Sequence, residues 1–104
     1  MIKVSVMYPS KAGATFDMKY YCESHMPMVQ QRLGAALKGL AVDRGIGGEE
    51  PGAPAPFLAM GHLLFASLEV FQSSFGPHAE EFAADVPNYT NIEPSIQISE
   101  MMPV

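Results

Sequence analysis

The sequence predicts an α+β domain with a four-stranded antiparallel sheet and two helices on one of its faces. Three observations carry that prediction. Strand patterning occurs four times, at both ends of the chain and twice in its middle. Two amphipathic stretches repeat apolar residues at helical spacing, one after the first strand and one after the third. There is no internal repeat and no dividing linker in the 104 residues, so residues 1–104 form one domain with a two-layer core.

The first strand is read from Ile2, Val4, Val6 and Tyr8 alternating with Lys3, Ser5 and Met7. Pro9-Ser10-Lys11-Ala12-Gly13 turns the chain, and Thr15 or Asp17 caps the first helix. Along that helix Met18, Cys22, Met26, Val29 and Leu33 make one apolar face. His25 lies beside that face, and Tyr21 is one turn earlier on the same side. Pro27 is expected to kink or break the helix just after His25. A second strand is read within Leu37 to Ile46, ended by Gly47-Gly48. The Gly/Pro-rich stretch from Gly48 to Pro56 is a flexible hairpin connection or a lid over a pocket.

Phe57 to Phe65 is apolar on both faces, as a central strand should be. Ser67 then caps a helix whose stripe is Leu68, Phe71, Phe75, Ala79, Phe82 and Val86, with Gly76-Pro77 dividing it into two pieces. Pro87-Asn88-Tyr89-Thr90-Asn91 is rich in turn formers, and a last strand is expected over Ser95 to Met101.

The order β-α-β-β-α-β is the ferredoxin-like arrangement. It leaves one sheet face without helices. If Phe57, Leu63 and Phe65 face the helices, then Leu58, Met60, His62 and Leu64 face away, alongside Ser5, Met7, Gln97 and Ser99. That face is too apolar to remain in water. A homodimer stacked sheet against sheet is therefore expected.

Six basic against eleven acidic residues give a net charge of −5. No basic stripe is available for nucleic acid or for an anionic membrane surface. No apolar run approaches the roughly 20 residues of a spanning helix, and no signal-peptide pattern opens the chain. Cys22 has no second cysteine to pair with, which points to the reducing cytoplasm.

His25 is the leading candidate for chemistry. An imidazole at the edge of an apolar pocket suits general acid or base catalysis; a buried histidine bonded to a neighbouring group for structural reasons is the other reading. Asp17, eight residues away, is about 12 Å along the helix and cannot orient it, so a partner must come from elsewhere in the fold. His62, in the middle of an apolar strand, needs a polar partner. His78 follows Gly76-Pro77 and is read as helping to start the second helical piece. No HxH, HExxH or CxxC spacing marks a metal site, and no glycine-rich phosphate loop precedes a helix. Cys22 is read as a packing residue, and the methionines as adaptable core.

Taken together, several motifs resemble the EthD family over nearly the whole chain. They are Phe16-Asp17, Tyr20-Tyr21 and His25-Met26-Pro27; Gly61-His62-Leu63 with Phe65; Phe75-Gly76-Pro77-His78-Ala79; and Pro87 to Pro94 before Gln97-Ile98-Ser99. The resemblance implies a dimeric α+β barrel. It also implies a role for His25 as the catalytic residue, with Tyr21, His62, His78 and Tyr89 binding substrate or supporting the pocket. Related barrels include cofactor-free monooxygenases, isomerases and haem-degrading monooxygenases. The expected activity is thus an oxidoreductase or an isomerase or lyase, acting without cofactor on a small hydrophobic or aromatic carbonyl compound. The alternative is a ligand-binding protein that assists a partner oxygenase, such as a cytochrome P450 system. Haem-degrading relatives use a pocket tryptophan; this chain has none, which argues against haem.

Overall fold

The computed structural model describes residues 1–104. Its centre is β1 (Ile2–Pro9), whose alternation serves two layers: Val4 and Tyr8 are buried on one side, while Lys3, Ser5 and Met7 face the other. β1 pairs antiparallel with β3 (Phe57–Phe65) and β4 (Ser95–Glu100). β3 pairs antiparallel with β2 (Gly39–Arg44), giving the order β2-β3-β1-β4. β2 is shorter than the expected span, and β4 ends one residue before Met101.

The closed barrel is a correction. The sheet is open, because β2 and β4 each have a single neighbour and no ladder joins them. Closing a sheet requires two partners for every strand; only β1 and β3 have them here.

The first helix covers residues 18–33 and does not break at Pro27. Asp17 caps it, accepting a hydrogen bond from the Tyr20 N–H at 3.0 Å. Pro27 has no N–H to give to the carbonyl of Glu23, and its ring crowds that turn. The chain responds by widening: Tyr21–His25 is a π turn, closed by the Met26 N–H donating to the Tyr21 carbonyl, before Met26–Leu33 continues as α-helix. The extra residue in that turn changes the inward face. Tyr21, His25, Met26, Val29 and Leu33 are buried, whereas Cys22, expected in the apolar stripe, is exposed.

The second helix is two pieces, Leu68–Phe75 and Ala79–Asp85, joined by the 3-10 turn Gly76–His78. Ser67 caps it through the Val70 N–H. Of its expected stripe, Phe82 is buried, Phe71, Phe75, Ala79 and Val86 are half-buried, and Leu68 is exposed. Residues 45–56 form a hairpin connection bonded to itself, with the Gly48 N–H donating to the Ala53 carbonyl.

Both helices cover the face of Val4, Ala59, Leu63 and Phe65. Gly61 lies on that same face and is glycine for a steric reason. A Cβ there would run into the Tyr21 hydroxyl and the Met26 methyl group. The outer face carries cross-strand rows such as Asp43–Met60–Met7 and Ala41–His62–Ser5–Gln97.

Candidate active site

The π turn presents His25 to the interior, where it is 6% exposed. Its Nδ1 lies 2.8 Å from Oδ2 of Asp85, the last residue of the Ala79–Asp85 piece. The other oxygen of Asp85 accepts from the Tyr20 hydroxyl at 2.7 Å and from the Asn88 side-chain amide at 2.9 Å. Partial burial works against ionisation of Asp85. The hydrogen bonds from Asn88, Tyr20 and His25, with the attraction of His25, outweigh it and hold the carboxyl below the usual range. An ionised Asp85 can only accept, so Nδ1 of neutral His25 carries the hydrogen and Nε2 keeps the lone pair.

Nε2 faces space. It has no hydrogen-bond partner in the chain, yet no buried side-chain nitrogen or oxygen is left unsatisfied. It must therefore be accessible, and His25 lines a cavity of about 270 Å³ between the sheet and the two helices. Phe75, Phe82 and Val86 from the second helix and Val29 from the first form apolar wall, facing Val6 and Leu63 of the sheet.

Three tyrosines complete the end of the cavity nearest His25. The Tyr21 ring stacks on the imidazole at 5.5 Å, and the Tyr89 ring tilts against it at 4.7 Å. The hydroxyls of Tyr8 and Tyr89 share a hydrogen bond of 2.7 Å. Burial is the main cause that pushes Tyr8, Tyr21 and Tyr89 above the ordinary tyrosine value, so all three stay protonated near neutral pH. A clamp positions Tyr89: its carbonyl accepts from the Asp17 N–H at 2.7 Å, and the Thr90 hydroxyl donates to the Thr15 carbonyl at 2.6 Å.

Of the residues singled out from the sequence, the structure brings His25, Tyr21 and Tyr89 together. His62 is on the outer sheet face, bonded to Ser5 Oγ and Asp43 Oδ2, each at 2.8 Å, and does not line this cavity. His78 also lies outside it, 3.9 Å from Glu81 and against the Phe82 ring. The Gly48 to Pro56 segment contributes nothing to the cavity, which removes the lid reading for this site. Tyr8, Tyr20, Asp85 and Asn88 are site residues that sequence reasoning missed. Asp85 and Asn88 are spaced to share a helix face, but only the fold connects them to a histidine 60 positions earlier.

No group of three or more His, Cys, Asp or Glu side chains is placed to hold a metal ion. No helix is long and apolar enough to cross a membrane.

A small α+β domain with a histidine-carboxylate pair at an apolar cavity is the class this geometry defines. The family model described as EthD domain matches residues 13–93, and the chain belongs to the EthD family. It is similar to a crystal structure of an EthD-like protein from Ralstonia eutropha, with 47% identity and a TM-score of 0.90. That match covers 95% of this chain and 89% of the other. An ethyl tert-butyl ether D family protein from Bacillus halodurans is 20% identical, with a TM-score of 0.68 over 98% and 99% of the two chains. A protein from Arabidopsis thaliana shares the fold at 15% identity, with a TM-score of 0.70 over 100% and 98%. No curated protein matches the chain.

Proposed function

We propose that this protein is a small-molecule enzyme that moves a proton on or off carbon in a hydrophobic or aromatic carbonyl compound, with His25 as general acid and base. One observation carries the reading: a buried imidazole, held by a carboxylate on one nitrogen and without a partner in the chain on the other, lines an apolar cavity. Nε2 takes a proton from the carbon beside the carbonyl. Negative charge then develops on the substrate oxygen, where a tyrosine hydroxyl donates to it. Asp85 stabilises the imidazolium so formed. Return of the proton to a different carbon is isomerisation, loss of a neighbouring group is lyase chemistry, and the same carbanion is what cofactor-free oxidation requires.

The apolar cavity alone would also suit a carrier for a partner oxygenase. The Asp85–His25 pair favours turnover, because a carrier has no use for an oriented base. Two copies associate through the outer sheet face, which supports this with Met7, Leu58, Met60 and Leu64. The lone exposed thiol of Cys22 supports a reducing, cytoplasmic setting.

The test is solvent deuterium exchange at the acidic CH₂ of 2-tetralone, followed by NMR. His25→Gln should slow the protein-catalysed exchange by about 100-fold or more. Equal rates in the variant and the wild type would sink the proposal.

A further inference from the structure

We infer that the cavity selects a neutral, oxygen-bearing bicyclic compound, a phenol or its keto tautomer, and rejects carboxylates and larger ring systems. The inference rests on this cavity being the substrate site, and it adds charge, size and orientation.

Charge comes first. His25 and three tyrosines are the titratable groups that line the cavity, and no lysine or arginine does. Arg32 is held outside, with its guanidinium on the Glu81 carboxylate at 2.9 Å. Behind His25 stands the ionised Asp85. A ligand carboxylate would lose its hydration with no fixed cation to meet it and an anion close by. Neutral ligands avoid that cost.

Orientation follows from counting hydrogens. Tyr8, Tyr21 and Tyr89 have one hydroxyl hydrogen each, and the bonds that Tyr89 and Tyr21 give to Tyr8 use two of them. The third, on Tyr8, is left to donate to a ligand oxygen. His25, whose Nε2 has no partner in the chain, lines the same cavity with its ring against that of Tyr89. A single ligand hydroxyl can accept from Tyr8 and donate to Nε2. In the keto form the carbonyl takes the first role and the adjacent C–H takes the second. Everything opposite is apolar, including Phe75 and Phe82, whose rings meet edge to face at 5.2 Å.

Size is set by volume. A cavity of about 150 Å³ lined by aliphatic and aromatic side chains holds one benzene. By that ratio the cavity here, about 270 Å³, holds roughly ten to twelve non-hydrogen atoms, which is two fused rings and an oxygen. Ala83 of the second helix and Ile96 of β4, 61% exposed, are the lining residues that remain open to solvent.

The experiment is calorimetric titration at pH 7 with 2-naphthol, 2-naphthoate and 2-anthrol. 2-Naphthol should bind, with 2-naphthoate and 2-anthrol at least tenfold weaker. Ala83→Trp should weaken 2-naphthol binding at least tenfold. Glu80→Trp, at an exposed position of the same helix that does not line the cavity, should leave it within twofold. Binding of 2-naphthoate or 2-anthrol as tight as that of 2-naphthol would overturn the inference. So would no detectable binding of 2-naphthol, or wild-type affinity in Ala83→Trp. These titrations read affinity alone. Loss of this selectivity would leave the proton-transfer proposal standing, and failure of tetralone exchange with intact selectivity would leave the ligand class standing.

Discussion

Replacing Asp85 by Asn probes the part of the site that the fold, rather than the local sequence, assembles. The carboxylate accepts three hydrogen bonds, from His25 at 2.8 Å, Tyr20 at 2.7 Å and Asn88 at 2.9 Å. An amide oxygen can keep the bonds from Tyr20 and Asn88, but the amide NH₂ then faces His25. Nδ1 must become the acceptor, and the imidazole hydrogen moves to Nε2. The cavity loses its base. Replacing three charge-assisted bonds by neutral ones, one of them reversed, should cost about 2 kcal/mol of stability, or roughly 10 °C in Tm for a domain of this size. Exchange of 2-tetralone should fall by about 100-fold or more. The pH dependence has a definite sign. Asp85 is held below the ordinary carboxylate range, so its contribution is complete above that range and is lost as pH falls through its lowered folded-state value. Urea denaturation between pH 7 and pH 3 should therefore show the Asn variant losing less stability on acidification than the wild type. A variant as stable as wild type at pH 7, with an unchanged acid response and unchanged exchange, would refute the proposed role of Asp85.

Other substitutions address neighbouring claims. Tyr89→Phe removes the bond to Tyr8 and should cost about 1 kcal/mol in urea melts, while slowing tetralone exchange at least tenfold. Gly61→Val should cost about 1–3 kcal/mol or more, because its side chain must displace the Tyr21 hydroxyl and the Met26 methyl group. Met60→Glu on the outer sheet face should shift the protein to a monomer in light scattering at micromolar concentration; an unchanged mass would count against sheet-to-sheet association. Arg32→Ala breaks a surface pair with Glu81 and should leave tetralone exchange unchanged, since neither residue lines the cavity.

Much of this architecture is legible because it is repetitive. Alternation in Ile2 to Tyr8 places Val4 and Tyr8 inward, and the parity of β3 puts Leu63 inward and His62 outward, as the pattern requires. Ser67 announces the start of the second helix, and Gly76-Pro77 its interruption. The first helix is harder to read, because a uniform period of 3.6 places Cys22 inside. The π turn adds a residue and exposes Cys22 instead, so the pattern on either side of Pro27 belongs to two different phases. The family resemblance carries Tyr21 and Tyr89 into the site, but also His62 and His78, which the structure places elsewhere. Asp85 was invisible for a different reason. Nothing local distinguishes it from other helix-end carboxylates until the second helix packs beside the first. The barrel expectation went wrong because closure is a property of strand edges, and β2 and β4 do not pair within this chain.

The most direct measurement is a long-range ¹H–¹⁵N spectrum of the His25 ring, recorded with and without 2-naphthol. Neutral His25 should carry its hydrogen on Nδ1, with an unprotonated Nε2 whose resonance moves when the ligand binds. A hydrogen on Nε2 in the free protein, or an Nε2 resonance indifferent to bound 2-naphthol, would contradict the central claim that Asp85 aims this histidine at the contents of the cavity.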